Sequence, residues 1–287
     1  MRTMKTAESG LAAQLLVGVL LGAAPLAASA ETVLITGANS GLGLEFTKQY
    51  AAKGWTVIAT HRRRDVPETL AEVVAEYPQV RVETLDVTSL EQAQALAAKL
   101  EEVPIDVVIN NAGVYNDRSS CAAGDDACPG NYQTQSFGQL DFALLDTIMD
   151  VNIKGPLIVS QAFYPNVKAS ALKKIVAISS SNGTITGELP NPWPGAIFYR
   201  MSKAALNREM QIVASSVKPD GVTVVILNPG PTLTEHQEYL RGNPIMLEMS
   251  FTVESMIDTI ARTTVASRSP IAGGMASATA SSGIPTT

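Results

Sequence analysis

Tyr199 and Lys203 stand four residues apart in the run Tyr199-Arg200-Met201-Ser202-Lys203. On a helix this spacing stacks the phenol and the ammonium on one face. A cation beside a phenol favours the phenolate, so Lys203 is expected to draw the Tyr199 pKa down toward a range useful for proton transfer. The spacing alone is weak. In a chain with 7 tyrosines it arises by chance in roughly a quarter of cases. Its weight depends on the residues that accompany it.

A second constellation reads as a place for the other reactant. Thr36-Gly37-Ala38-Asn39-Ser40-Gly41-Leu42-Gly43 directly follows the apolar run Val33-Leu34-Ile35. Glycines permit a tight turn and let backbone N–H groups approach a pyrophosphate, which rests on the positive end of the next helix. The spacing is G-x-x-x-G-x-G rather than the commoner G-x-G-x-x-G. A bare turn or helix cap is the competing reading, and placement between a buried strand and a helix favours a dinucleotide. The end of the next apolar run chooses between dinucleotides. An acid there would accept from the ribose hydroxyls of NAD, whereas an arginine accommodates the 2′-phosphate of NADP. The chain reads Thr60-His61-Arg62-Arg63-Arg64, with no carboxylate before Asp65. Arg62 and Asn39 are the candidates for the 2′-phosphate, and NADP(H) is favoured over NAD(H). A solvated basic turn is the alternative.

These groups need elements to position them. From Glu31 onward, short β-branched runs alternate with longer amphipathic ones. The pattern predicts strands over Val33–Ile35, Thr56–Thr60, Val80–Leu85, Asp106–Asn110, Lys174–Ser179 and Val222–Leu227. Helices are predicted from the glycine turn to Lys53, over Leu70–Tyr77 and Ser89–Lys99, over Tyr199–Val217 and over Val253–Val265, and Leu140–Pro165 is expected to contain a long helix. Near-continuous apolar strands separated by helices imply a mostly parallel sheet covered on both faces. That is the doubly wound (Rossmann) α/β architecture, whose ligand lies at the carboxyl ends of the strands. A single domain over residues 31–287 is expected. The tail after Ile271 is rich in Ala, Ser and Gly, so a further edge strand at 273–280 should be weak or missing.

In this setting the chain resembles the short-chain dehydrogenase/reductase family, from about Thr32 to Thr234. The T-G-x-x-x-G-x-G turn runs from Thr36 to Gly43, and the N-N-A-G motif is Asn110-Asn111-Ala112-Gly113. Asp86-Val87 resembles the family's adenine-contacting pair. Asn152, in Asp150-Val151-Asn152, matches the helix asparagine of the catalytic tetrad. Ile178-Ser179-Ser180-Ser181-Asn182-Gly183 matches the segment that carries the catalytic serine, placed at Ser180 with a one-residue slip left open by its neighbours. Asn228-Pro229-Gly230, with Thr232 and Thr234 beyond, resembles the stretch that contacts the nicotinamide carboxamide.

The resemblance implies roles. Tyr199 is the general acid in carbonyl reduction and the base in alcohol oxidation. Ser180 holds the substrate oxygen, Lys203 binds the nicotinamide ribose and tunes Tyr199, and Asn152 anchors a water in the proton relay. Cofactor contacts are implied at Gly37, Asn39, Ser40, Gly41, Leu42, Gly43, Arg62, Asp86, Val87, Asn111, Ala112, Gly113, Tyr199, Lys203, Pro229, Gly230, Thr232 and Thr234. The implied activity is NADP(H)-dependent reduction of a carbonyl, or oxidation of an alcohol, on a small organic substrate. An idle NADP-binding regulator and an epimerase or dehydratase of the same fold are the alternatives. A homodimer or homotetramer is left open. Ser180 and Tyr199 are further apart than is common in the family, through Glu188-Leu189-Pro190-Asn191-Pro192-Trp193-Pro194. This lengthening, with YRMSKAALN, resembles the carbonyl reductase branch of Sniffer and the bacterial C-factor. The connection from Tyr115 to Gly138 is also long, and reads either as a pocket wall or as surface decoration.

Composition sets the outer bounds. The chain has 287 residues, 46% hydrophobic and 17% charged, with a formal net charge of −6. A nucleic-acid partner is disfavoured, because phosphate backbones need a positive footprint. Residues 1–30 differ in kind: Arg2 and Lys5 precede an apolar run from Leu11 to Leu26, which ends in Ala28-Ser29-Ala30. That is the pattern of a cleavable secretory signal; an uncleaved anchor and an inert extension are the alternatives. The run is short for a comfortable span, so no stable membrane span is expected in the mature form. Cys121 and Cys128 share one Gly/Ser/Asp-rich loop and read as a disulfide in an oxidising compartment, or otherwise as two thiols. Export agrees with both features, whereas a soluble NADPH pool is expected in the cytoplasm, so both locations stay open. His61 and His236, the only 2 histidines, lack partners at the spacing of a metal site or a Ser-His pair. His236 reads as a pocket-lining or a solvated loop residue, and Met246, Met249 and Phe251 as an apolar lid or as ordinary packing.

Overall fold

The apolar runs form parallel strands whose neighbours cover both faces. The computed structural model describes residues 30–116, 131, 133–186, 195–235, 240–264 and 276–277. Strands β1 (Thr32–Ile35), β2 (Thr56–His61), β3 (Val80–Thr84), β4 (Val107–Asn110), β5 (Lys174–Ile178), β6 (Thr223–Asn228) and β7 (Ala276–Ser277) share one sheet. Their order is β3-β2-β1-β4-β5-β6-β7, and every pairing is parallel. β7 pairs only Ala276 with Leu227 and Ser277 with Asn228, the weak edge expected of a segment poor in β-formers.

The helices are α1 (Gly41–Ala52), α2 (Glu68–Glu76), α3 (Leu90–Lys99), α4 (Phe142–Met149), α5 (Gly155–Ala162), α6 (Tyr164–Ala169), α7 (Ile197–Val217) and α8 (Met249–Arg262). Successive residues of a strand point to opposite faces, and β1 divides its side chains accordingly. Val33 and Ile35 pack with Phe46 and Tyr50 of α1, Val73 of α2 and Met256 of α8. Leu34 packs on the other face with Leu96 of α3, Val159 of α5 and Val217 of α7. Each such fully buried side chain contributes about 2 kcal/mol, and this two-sided burial is why β1 reads as an unbroken apolar run.

The long helix expected within Leu140–Pro165 is present but interrupted: a π-helical turn, Asp150–Lys154, joins α4 to α5. Such turns insert one residue into a helix and often occur at functional sites. Gly155 follows directly, and a Cβ there would come within 2.9 Å of Val87 Cγ2, so a larger residue would force Val87, in the connection after β3, to shift. Smaller differences are at helix ends, with α8 beginning at Met249 rather than Val253.

Among the described residues, no helix is long and apolar enough to cross a membrane. The leader-like segment up to Ser29, Cys121 and Cys128, Glu188–Pro194 and His236 lie outside the described residues. The chain order reverses between β1 and β4, which opens a crevice at their carboxyl ends.

Candidate active site

The glycine turn lies in that crevice and is shaped by what it excludes. Gly37 has φ of 63°, and a Cβ there would lie 3.0 Å from Ala112 Cα. Gly43 is tighter still, since an added Cβ would lie 2.2 Å from the Gly37 carbonyl oxygen. Two side chains from adjoining strands hold the turn. Asn111 Nδ2 donates to the Thr36 and Gly37 carbonyls at 2.9 and 3.2 Å. The Thr36 hydroxyl accepts from the amides of Asn111 and Ala112, both at 3.0 Å. Ser40 occupies the N-cap of α1 but makes no side-chain cap. The leading amides of α1 therefore lack an acceptor from Ser40, and such amides are the donors an anion takes.

A cleft of about 770 Å³ opens beside the turn. Its walls include Gly37, Asn39 and Ser40, then Arg62 and Arg63 after β2, Asp86 and Val87 after β3, and Asn111, Ala112 and Gly113 after β4. Asp86 is fixed in place, its Oδ1 accepting from the amide and the hydroxyl of Thr88 at 2.9 and 2.8 Å. Other residues chosen from the sequence stand back from this cleft. Leu42 packs against the core, and Gly43 is buried. Pro229, Gly230, Thr232 and Thr234 follow β6 and are not among the cleft walls; the Thr232 hydroxyl donates to the Pro229 carbonyl at 3.1 Å.

Val114 and Tyr115 form the far wall of the cleft and lead to the second constellation. Tyr199 and Lys203 lie on α7, with the Lys203 ammonium 5.6 Å from the centre of the Tyr199 ring. Lys203 Nζ donates to the Ile178 carbonyl at the end of β5, at 2.8 Å. The next residues separate the serines. Ser179 is buried and its hydroxyl bonds Asn207 Oδ1 at 2.6 Å, whereas the Ser180 hydroxyl faces that of Tyr199. Of the neighbouring serines, Ser180 is the one that faces Tyr199. Asn152 lies in the π-helical turn. Its Oδ1 accepts from the Val114 amide at 2.7 Å, and its Nδ2 donates to the Val114 carbonyl and to Ser202 Oγ at 2.8 and 2.9 Å. Ser202 in turn donates to the Tyr199 carbonyl at 2.8 Å. Both hydrogens of the Asn152 amide are therefore engaged in joining the end of β4 to α7.

The electrostatics correct an expectation. Burial pushes the Tyr199 pKa up to about 12; the hydrogen bond from Ser180 opposes the rise and the neighbouring Tyr115 adds to it. Burial likewise pushes the Lys203 ammonium down to about 8. Removing both groups from water outweighs the attraction of the ammonium for the phenolate, so the phenol rises despite its neighbour. At neutral pH the phenol keeps its proton and the lysine its charge.

The family profile described as short chain dehydrogenase matches residues 31–244 of the chain. The chain belongs to that family. This short-chain dehydrogenase is 32% identical to an uncharacterized oxidoreductase of Schizosaccharomyces pombe over 213 residues, 73% of this chain and 76% of that protein. It superimposes on the NADPH-bound carbonyl reductase from chicken fatty liver with a TM-score of 0.70 at 25% identity, covering 82% of this chain and 92% of that one. Carbonyl reductase Sniffer of Drosophila melanogaster also gives a TM-score of 0.70, at 21% identity, covering 87% of this chain and 97% of that one, a likeness of fold. The protein is an oxidoreductase of the short-chain dehydrogenase family.

Four residues of this short-chain dehydrogenase were not picked out by sequence reasoning. Arg63 lines the cleft beside Arg62, and nothing in the basic run ranked the two. Tyr115 meets the Tyr199 ring edge-on, with centroids 4.5 Å apart; its place two residues after the N-N-A-G motif was the available signal. Gln135 is fully buried and bonds both of those tyrosines, as described below. The Glu235 carboxylate hangs over the start of α1, since a Cβ on Gly41 would lie 3.8 Å from both its oxygens. His61 is buried at the end of β2, and burial, then the charge of Arg63, lowers its pKa. Met249 packs against the core, and Phe251 is exposed on α8.

Proposed function

We propose that the protein catalyses NADP(H)-dependent reduction of a carbonyl, or the reverse oxidation of an alcohol, on a small organic substrate. The observation that carries this reading is the convergence of the Ser180 hydroxyl on that of Tyr199, with the Lys203 ammonium 5.6 Å from the Tyr199 ring on the same helix. The residues of the cleft fit the cofactor. Gly37, Gly41 and Gly43 keep the turn bare beside the uncapped start of α1, which suits a pyrophosphate. Arg62, Arg63 and Asn39 line the wall and suit a 2′-phosphate; an arginine there favours NADP over NAD. The NADPH carried by the chicken carbonyl reductase supports the same choice. Asp86 and Val87 would hold the adenine, Tyr199 and Lys203 the nicotinamide ribose, and the Pro229–Thr234 stretch the carboxamide. Bound there, NADPH supplies the hydride for the carbonyl carbon.

The chain supplies orientation and the proton. Ser180 donates to the substrate oxygen and holds it beside Tyr199. Tyr199, its phenol kept protonated by burial, delivers its proton to that oxygen as negative charge builds there. Lys203 stabilises the phenolate left behind while it keeps its own charge, up to about pH 8. Solvent then restores the phenol. Asn152 fixes the helix that carries both groups through Val114 and Ser202. The test is a fluorescence titration with NADPH and NADH beside a reduction assay, on the wild type and Tyr199→Phe. Tighter binding of NADPH than NADH is expected, retained in the variant, with turnover lowered about 10³-fold. Binding without turnover in the wild type would overturn the catalytic reading, and no binding of either nucleotide would overturn the cofactor site.

A further inference from the structure

The helix that carries Tyr199 begins without a cap of its own. Ala196 stands at the N-cap of α7 with φ of 56°, and its methyl group cannot accept a hydrogen bond from the first turn. The missing acceptor comes from 64 positions away: Gln135 Oε1 accepts from the Tyr199 amide at 3.0 Å. The other end of the same side chain is also engaged, since Gln135 Nε2 donates to the Tyr115 carbonyl at 2.6 Å. Gln135 is fully buried, so no water competes for either bond. It bonds the backbone of both partners in an aromatic pair whose rings stand 4.5 Å apart.

The surrounding backbone gives this bridge little slack. Gln133–Gln135 is a 3-10 turn, with the Ser136 amide bonded to the Gln133 carbonyl and the Asp141 amide to the Thr134 carbonyl, both at 2.9 Å. The turn abuts the start of α7, where a Cβ on Gly195 would lie 3.2 Å from Ser136 Oγ. Tyr199 is thus held at its amide by Gln135, at its carbonyl by Ser202 and at its ring by Tyr115, with its hydroxyl facing Ser180.

We propose that Gln135 is a positioning residue for the reaction: it clamps the first turn of α7 to the Tyr115 segment and thereby sets the Tyr199 phenol against Ser180. The proposal rests on the reading of Tyr199 as proton donor. Displacing a reacting group by about 1 Å costs on the order of 10²-fold in rate, and releasing one end of this bridge frees the amide of the residue that carries the proton. Gln135 is not itself among the walls of the nucleotide cleft and meets them only through the Tyr115 carbonyl.

The test uses the full chain, NADPH and the activated aldehyde para-nitrobenzaldehyde. Gln135→Met keeps the length of the side chain and removes both bonds. Gln135→Glu keeps an acceptor for the Tyr199 amide, a favourable charge at a helix start, and removes the amide donor to Tyr115. For Gln135→Met we expect kcat to fall about 30-fold, with KM and the Kd for NADPH each within about threefold of wild type. Gln135→Glu recovers a large part of kcat, to within about fivefold of wild type. Where Gln135→Met fails to fold, the loss of kcat at unchanged Kd in Gln135→Glu relative to wild type carries the test. An unchanged kcat in Gln135→Met, or parallel losses in kcat, KM and Kd, would overturn the proposal while an active wild type and an inactive Tyr199→Phe leave the catalytic reading standing. A wild type that binds NADPH and turns over no faster than Tyr199→Phe removes that reading, and this proposal with it.

Discussion

The two halves of the site are built on opposite principles. At the nucleotide end the decisive feature is an absence: Gly37 and Gly43 leave room that a single carbon would fill. At the tyrosine end the decisive feature is a chain of side-chain bonds, from Val114 through Asn152 and Ser202 to Tyr199, with Lys203 anchored to β5. A site made by exclusion fails abruptly when anything is added. A site made by linked bonds loosens link by link, and keeps its cofactor while it does so.

Gly43→Ala tests the first half most severely. The new carbon meets a backbone oxygen at 2.2 Å, which no side-chain movement can relieve. We expect a loss of about 3 kcal/mol in stability, read by urea unfolding, with NADPH binding abolished in the same titration. Wild-type affinity would break the contrast. Asn152→Ala tests the second half. It strands the Val114 amide and carbonyl and frees Ser202, which should destabilise the chain by about 2 kcal/mol and lower kcat about 100-fold, with the Kd for NADPH nearly unchanged.

Acidity sharpens the comparison, because the tyrosine end contains the buried charge of Lys203. Lys203 titrates near 8 in the folded chain, against the ordinary lysine value of 10.5. Between those values the unfolded chain binds the extra proton, so stability rises with pH across that window and is flat with respect to this group below it. From about pH 7.5 to about pH 9.5 the gain should be about 2 kcal/mol, and Lys203→Met should lose it. Burial also lowers the Lys174 pKa, so the difference between wild type and variant, rather than the slope alone, is the measurement. Tyr199 acts in the opposite sense only above pH 10, where the unfolded phenol ionises first. The smallest effect concerns Glu235, whose carboxylate hangs over the start of α1. Glu235→Gln should tighten NADPH binding about threefold by removing a competing anion from a helix N-terminus.

The same contrast governs what was legible in the sequence. The strands were readable because β1, β4 and β5 are buried on both faces, and the glycine turn because its constraint lies within a few neighbouring residues. The positions of Ser180, Tyr199, Lys203 and Asn152 followed from motif order. Their electrostatics did not: helical spacing brings Lys203 near Tyr199 but says nothing of how far water is excluded, and that exclusion sets the phenol near 12. Gln135 and Glu235 were invisible because each acts on a partner remote in the chain, and neither belongs to a motif. The π-helical turn gave no sign either, since one inserted residue leaves composition and periodicity almost unchanged.

That turn has a mechanical consequence. Each residue of a regular helix advances the side-chain direction by roughly 100°, so one surplus residue rotates everything downstream like a gear slipped by a tooth. α4, upstream, presents Ala143, Leu144 and Thr147 to the cleft; α5, downstream, presents Val159 and Ser160 to the sheet. One helical rod thereby serves as a wall of the cleft along half its length and as a strut of the core along the other, and Asn152 stands at the joint where it turns.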